Sequence, residues 1–138
     1  MATFSSIRVK IKEKLDGIAE LGFVADFHDP DLTSFPAATF DISEETSEFK
    51  TNKENFRTIS YTIVLYQEIK TLGLSEATGL LDAVADKVVL AFEKDFSLGG
   101  EVQICTPLAG PRGQFDSPSG AVVFQQLTLQ CSFLFLAI

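Results

Sequence analysis

The stretch NFRTISYTIVLYQEI, residues 55–69, constrains this chain more than any other. Ile59, Tyr61, Ile63, Leu65 and Ile69 alternate with Thr58, Ser60, Thr62, Val64, Tyr66 and Glu68. Apolar residues at every second position put one face of an extended strand in a core and the other outside it. β-Branched and aromatic side chains fit that surface. The run exceeds the usual strand of about 5–6 residues. A strand this long requires long partners, so it predicts a sheet.

The terminal stretch AVVFQQLTLQCSFLFLAI supplies one such partner. Val123, Leu127, Leu129, Cys131, Phe133 and Phe135 share one face, and Gln126, Thr128, Gln130 and Ser132 the other. Towards the end Leu134, Leu136 and Ile138 make both faces apolar, which predicts burial on both sides, against a helix or another subunit. Shorter runs, FVADFHD, FPAATFDI and EVQICT, read as further strands. Pro36 suits the first position of its strand, and Pro30 ends the one before.

Two stretches carry the helical period instead. Phe4, Ile7, Ile11, Leu15, Ile18 and Leu21 form one stripe, with Thr3 or Ser5 as cap and Gly22 after the last periodic residue. Ala77, Leu81, Val84, Val88 and Phe92 form a second, widened by Leu80, Ala85 and Val89, behind a Ser75 cap and ahead of the LGG stop at 98–100. The order αβββαββ with short links predicts an α+β fold in one domain, residues 1–138. We expect a mostly antiparallel sheet of about five strands, two helices on one face and a long hairpin between the second and third strands. The opposite face carries Thr, Ser, Gln and some Tyr, too mixed for solvent alone and too polar for a core.

Composition narrows the function classes. The chain is 46% hydrophobic with 13 Phe, enough for a core and unlike a disordered chain. With 19 acidic and 11 basic side chains its formal net charge is -8, against a general nucleic-acid binder with a basic face. It does not exclude a protein that DNA passes without gripping, since like charge repels phosphate. The one dense basic patch, Arg8, Lys10, Lys12 and Lys14, reads as a solvated helix face, with an anion or acidic partner as the alternative. The N-terminal stretch lacks the apolar core of a signal peptide, and CSFLFLAI is too short to span a bilayer, so a cytoplasmic folding site and no membrane partner are expected.

Catalytic patterns are not met. His28 in FHDPD is the sole histidine, and a zinc site with Asp29 and Asp31 would still lack His or Cys ligands. A Ser-His-Asp arrangement lacks its G-x-S-x-G elbow. GPRG is not a phosphate-binding loop, and LGLSEATG lacks dinucleotide spacing. Cys105 and Cys131, without C-x-x-C spacing, read as buried small hydrophobes, with a cross-strand disulfide as the other possibility. No catalytic, cofactor or metal site is expected.

Two polar stretches stand out. Loops beyond about 12 residues are uncommon in compact domains and are usually functional or disordered, so a plain surface loop is the other reading of both. SEETSEFKTNKEN, Ser43–Asn55, holds Glu44, Glu45, Glu48, Lys50, Lys53 and Glu54, and reads as a charged contact arm. Pro107–Gly120 holds Arg112, Phe115 and Asp116 among Gly and Pro, and reads as a loop whose lone Phe wants a pocket, on a neighbouring subunit.

The order of elements, with RTISYTIVLYQEI, then LLDAVADKVVLAFEKD, DFSLGGEV and a final GAVVFQQLTLQC, resembles the tail terminator (tail-completion) proteins of long-tailed bacteriophages. The similarity runs from the first helix to the end and is one of organisation. The resemblance implies a small domain that assembles as a ring, typically a hexamer. Such a ring caps the tail tube, ends its polymerisation and meets the head connector while DNA passes through the lumen. It implies no enzyme activity and no cofactor, with the virion tail at the head–tail junction as location. On that basis Glu44, Glu45, Glu48, Lys50, Lys53 and Glu54 are candidates for lumen or tube contact, and Arg112, Phe115 and Asp116 for the subunit interface. A different neck or joining component, or a stand-alone module binding a ligand or peptide, is the other expectation.

Overall fold

The computed structural model describes residues 3–28, 34–49, 54–70, 72–117 and 120–136, without the side chains of 48, 49, 54 and 134–136. Chain order is α1 (Phe4–Asp16), β1 (Phe23–Ala25), β2 (Ala37–Phe49), β3 (Glu54–Glu68), α2 (Leu74–Lys94), β4 (Ile104–Ser117) and β5 (Gly120–Leu136). This is the expected α+β arrangement. The sheet runs β1-β2-β3-β5-β4, antiparallel except for β1 beside β2. The alternating stretch that predicted a sheet is its middle strand. β3 pairs with β5 from Glu54↔Leu136 to Glu68↔Val122, and with β2 along its other side.

Each helix is bounded by local chemistry. Thr3 caps α1: its hydroxyl accepts from Ser6 N at 3.0 Å, while Thr3 N donates to Ser6 Oγ at 2.8 Å. The helix was expected to reach Leu21 but stops at Asp16, where Gly17 forms the C-cap. Ile18 and Leu21 still pack on the core, carried there by turns that bond Ile18 N to Leu15 O and Leu21 N to Ile18 O. α2 starts one residue before the predicted Ser75 cap. Gly73 takes that role at φ 78, a backbone region that glycine enters without a Cβ clash.

The core lies between the helices and one sheet face. Ile7, Ile11 and Leu15 of α1 and Ala77, Leu81, Val84, Val88 and Phe92 of α2 meet Phe40, Ile59, Tyr61, Ile63, Leu65, Leu129 and Cys131. Burying each large apolar side chain stabilises the fold by about 1.5–3 kcal/mol. Both helices thus cover one face, as the two stripes required.

The mostly antiparallel sheet is as expected, with β1 beside β2 as its parallel pair. Two expectations need correction. Most of Ser43–Asn55 is strand: β2 continues to Phe49 and β3 begins at Glu54, in register Glu44↔Ser60 through Phe49↔Asn55. Pro107–Gly120 is not a loop either; β4 runs through it to Ser117.

β4 tolerates its prolines because it is an edge strand. Cys105 N–H points away from β5, donating to Phe96 O at 2.6 Å. Backbone groups alternate in direction along a strand, so the nitrogen of Pro107 also points outward, where no ladder bond is lost. Pro111 falls in the register shift between Ala109 and Arg112. A matching shift interrupts β2 between Ile42 and Glu44. The two irregularities flank the centre of the sheet and bend it there.

Candidate functional site

Past its centre the sheet narrows to three strands. β1 leaves β2 after Thr39, and β4 begins only at Ile104↔Ser132, so among the described residues β2, β3 and β5 continue alone. β3 has 15 residues and α2 has 21. At about 3.3 Å per strand residue and 1.5 Å per helix residue the strand spans roughly 50 Å and the helix roughly 32 Å. The sheet therefore outruns the helix, and from Ser43 to Ser47 every β2 side chain is exposed.

This extension carries the predicted acidic set. Glu44 lies on the face away from the helices, opposite Ser60, and Glu45 on the helix face opposite Ile59. Glu45 Oε1 stands 3.8 Å from Arg57 Nη1, a loose, half-exposed ion pair worth well under about 1 kcal/mol. Glu48 and Glu54 sit in the strands opposite Phe56 and Leu136. Lys50 and Lys53 lie outside the described residues. Glu44, Glu45, Glu48 and Glu54 are thus brought to one end of the sheet along a pair of strands.

The second predicted set is split by the strand that carries it. Arg112 turns to the helix side, donating from Nε to Gln125 Oε1 at 2.7 Å and pairing with Asp82 of α2. Phe115 lies on the other face, its ring crossing β5 to meet Tyr66 edge-on at 5.9 Å and Phe124 at 6.1 Å. That placement buries Val122, the register partner of Phe115, to 1% exposure. Phe115 has therefore found its pocket within its own chain, although it stays 38% exposed. Asp116 is exposed opposite Ala121.

Sequence reasoning missed this aromatic cluster. The signal was present in parity: Phe124 shares a face with Gln126 and Thr128, and Tyr66 with Thr62 and Val64. Polar ladders fill the rest of that face, with Thr58 and Ser132 hydroxyls 3.2 Å apart. His28 belongs to the same side, its Nδ1 2.9 Å from the buried Thr39 hydroxyl, which lies 3.5 Å from Tyr66 Oη. Among the described residues no three His, Cys, Asp or Glu side chains gather as metal ligands.

The basic patch is neutralised within the fold. Arg8 pairs with Asp41 at 2.8 Å, Lys10 with Glu13 at 3.6 Å, Lys12 with Asp16 at 3.1 Å and Lys14 with Asp95 at 2.9 Å. The Arg8 hydrogen bond holds the Asp41 carboxyl below its ordinary range, and Lys14 does the same for Asp95. A shallow cleft of about 180 Å³ between α1 and the turn after α2 is lined by Lys10, Glu13, Lys14, Asp95, Leu98 and Gly99. Its charges are matched by one another. No described helix is long and apolar enough to cross a membrane.

Cys105 and Cys131 face each other across β4 and β5 as free, buried thiols. Burial pushes them up to about 11 and about 12 respectively. Tyr61 of β3 is fully buried in the core beneath the helices, and burial likewise raises its phenol to about 12. Comparison with models of known protein families gives no match, and comparison with curated proteins gives none.

Proposed function

We propose that this chain is a structural, non-enzymatic component of a phage virion, a tail terminator that forms a ring on the tail tube. In this reading the ring, of about six copies by resemblance, stops tube growth and joins the tail to the head connector, while DNA passes through an acidic lumen without specific contact. No cofactor is required, and assembly takes place in the host cytoplasm.

The observation that carries the reading is the three-stranded extension. A stand-alone domain gains little by projecting five consecutive exposed β2 residues, Ser43–Ser47, beyond its helices. An assembly subunit uses such a projection to reach a neighbour. The net charge of -8 supports the lumen role, since like charge keeps DNA from binding. The element order behind the family resemblance supports it too, because the fold keeps the order αβββαββ.

The test is tube capping. Purified protein is mixed with polymerising tail-tube protein of the same phage and examined by negative-stain microscopy and native mass spectrometry. Rings at tube ends and arrested growth are expected. A strict monomer that neither forms rings nor caps tubes overturns the proposal.

A further inference from the structure

The two sides of the extension are unequal to the rest of the sheet rim. The full-length edge, β4, is guarded by Pro107, Pro111 and a register shift, all devices that prevent a foreign strand from pairing. The extension carries no proline on its described edges, and its one register shift, between Ile42 and Glu44, lies at its base, ahead of the regular run from Glu44 to Phe49. Among the described residues no strand pairs with the outer side of β2 beyond Thr39, and none with the β4 side of β5 beyond Ser132. The β2 segment DISEETSEF contains neither Pro nor Lys, and the β5 segment FLFL contains no charge at all.

The direction of the backbone groups follows from one hydrogen bond. Cys105 N–H leaves β5 for Phe96 O, so Cys105↔Cys131 is a non-bonded pair and Cys131 turns its backbone towards β3. Alternation then aims Leu134 and Leu136 at the vacant β4 side. On the far side Ile59 bonds Cys131, so Thr58 and Ser60 turn towards β2, where Thr46 and Glu44 meet them. Glu45, Ser47 and Phe49 are left facing outward.

We propose that the outer edge of β2 in one copy pairs with the terminal edge of β5 in the next, joining the extensions of successive copies into one continuous sheet. This rests on the ring reading and names the contact that builds the ring. The occupant is a second copy because one chain offers both open edges, one on each side of the same three strands. A β2 edge meeting another β2 edge would set Glu44, Glu45 and Glu48 against their own kind, whereas the β5 edge is uncharged. The contact is therefore head-to-tail, and a head-to-tail contact whose rotation closes makes a ring.

Proline at an outward position removes one edge donor without breaking an internal ladder bond. Ser47→Pro and Leu134→Pro are each expected to remain folded monomers, by circular dichroism and native mass spectrometry, where the wild type forms rings. Mixing the two restores a single good contact per pair, so heterodimers without rings are expected. Rings from either variant, or dimers from either alone, overturn the edge pairing and leave the tail reading standing. Failure of the wild type both to form rings and to cap tubes removes both. Hydrogen exchange on the wild type covers variants that do not fold. The amides of Ser47 and Leu134 should slow by at least about tenfold on assembly, and unchanged exchange there overturns the pairing.

Discussion

The ring of Phe124 covers Gly113 on the neighbouring strand so closely that a Cβ at Gly113 would stand 3.0 Å from its Cζ atom. The glycine is there for the ring, which fills the gap that a missing side chain leaves in β4. Phe115 holds the other side of that ring. Gly113→Ala must displace Phe124 and is expected to cost about 1–3 kcal/mol in urea unfolding, the usual range for overpacking. An unchanged midpoint would show that the aromatic cluster moves freely.

Phe115→Ala tests whether this residue serves the fold or only a neighbour. It removes the edge contact with Tyr66 and uncovers Val122. Monomer stability should fall by about 1–3 kcal/mol from lost burial and ring contacts. A loss of assembly with full monomer stability would restore the interface-only role.

Tyr61 predicts the opposite sign. Its hydroxyl is buried with no hydrogen-bond partner among the described residues. Tyr61→Phe removes an unsatisfied polar group while keeping the ring, which packs tilted against Phe40 at 6.4 Å. Stability should stay level or rise by up to about 1 kcal/mol. A marked loss in thermal unfolding would mean that the hydroxyl is bonded in solution.

The facing thiols predict both reactivity and an alkaline limit. Native protein should react slowly with a thiol reagent and release two equivalents only on denaturation, since both cysteines are buried. Their folded values are raised from 9.0 to about 11 and about 12, so the protonated thiols favour the fold. That contribution is complete below 9.0 and is lost as pH climbs through the folded values. Replacing both by Ala or Val should flatten the fall in stability above pH 9.0, read by urea midpoints across pH.

The acidic side has its own limit, carried by α1. Asp41 and Asp95 are held low by Arg8 and Lys14, so their contribution is present above the ordinary carboxylate value and lost as pH falls through the depressed one. Arg8→Ala should abolish the Asp41 part of that dependence. It also removes the guanidinium 6.0 Å from the centre of the Phe40 ring, for a total cost of about 1–2 kcal/mol at neutral pH.

Charge reversal at Glu44, Glu45 and Glu48 separates folding from assembly. The side chains at 44 and 45 are exposed, so a triple Lys variant should unfold within about 1 kcal/mol of the wild type. Tail joining, scored as infectious particles from complemented lysates, should drop. Normal particle yield would remove the role assigned to these carboxylates.

What the sequence made legible was the part written in periods. Ile59 to Leu65 and Leu127 to Phe133 alternate, and Ile7 to Leu15 and Ala77 to Phe92 step by three and four, so those elements and the core between them could be read directly. β4 could not, because Pro107, Gly110, Pro111 and Gly113 are breakers in most settings. Only its place at the rim makes them compatible with a strand, and rim position is a tertiary fact. The polar run from Ser43 to Asn55 hid for a related reason. It has no apolar face of its own and is held by β3, which β5 supports from the far side. Arg112 and Asp82 meet across 30 residues, a distance at which no local pattern speaks.

The register shift between Ile42 and Glu44 has a consequence for how this surface can change. Ile42 lies opposite Tyr61 and Glu44 opposite Ser60, so Ser43 is the one extra residue that β2 carries against β3. Removing Ser43 would leave Glu44 opposite Ser60 and every later pair in place, with only the local bend lost. Strand faces are assigned by odd and even count, so a residue gained or lost beyond Glu44 would instead exchange the faces of all that follows. The chain can thus change length by one residue at this point while the outward aspect of the extension keeps its pattern.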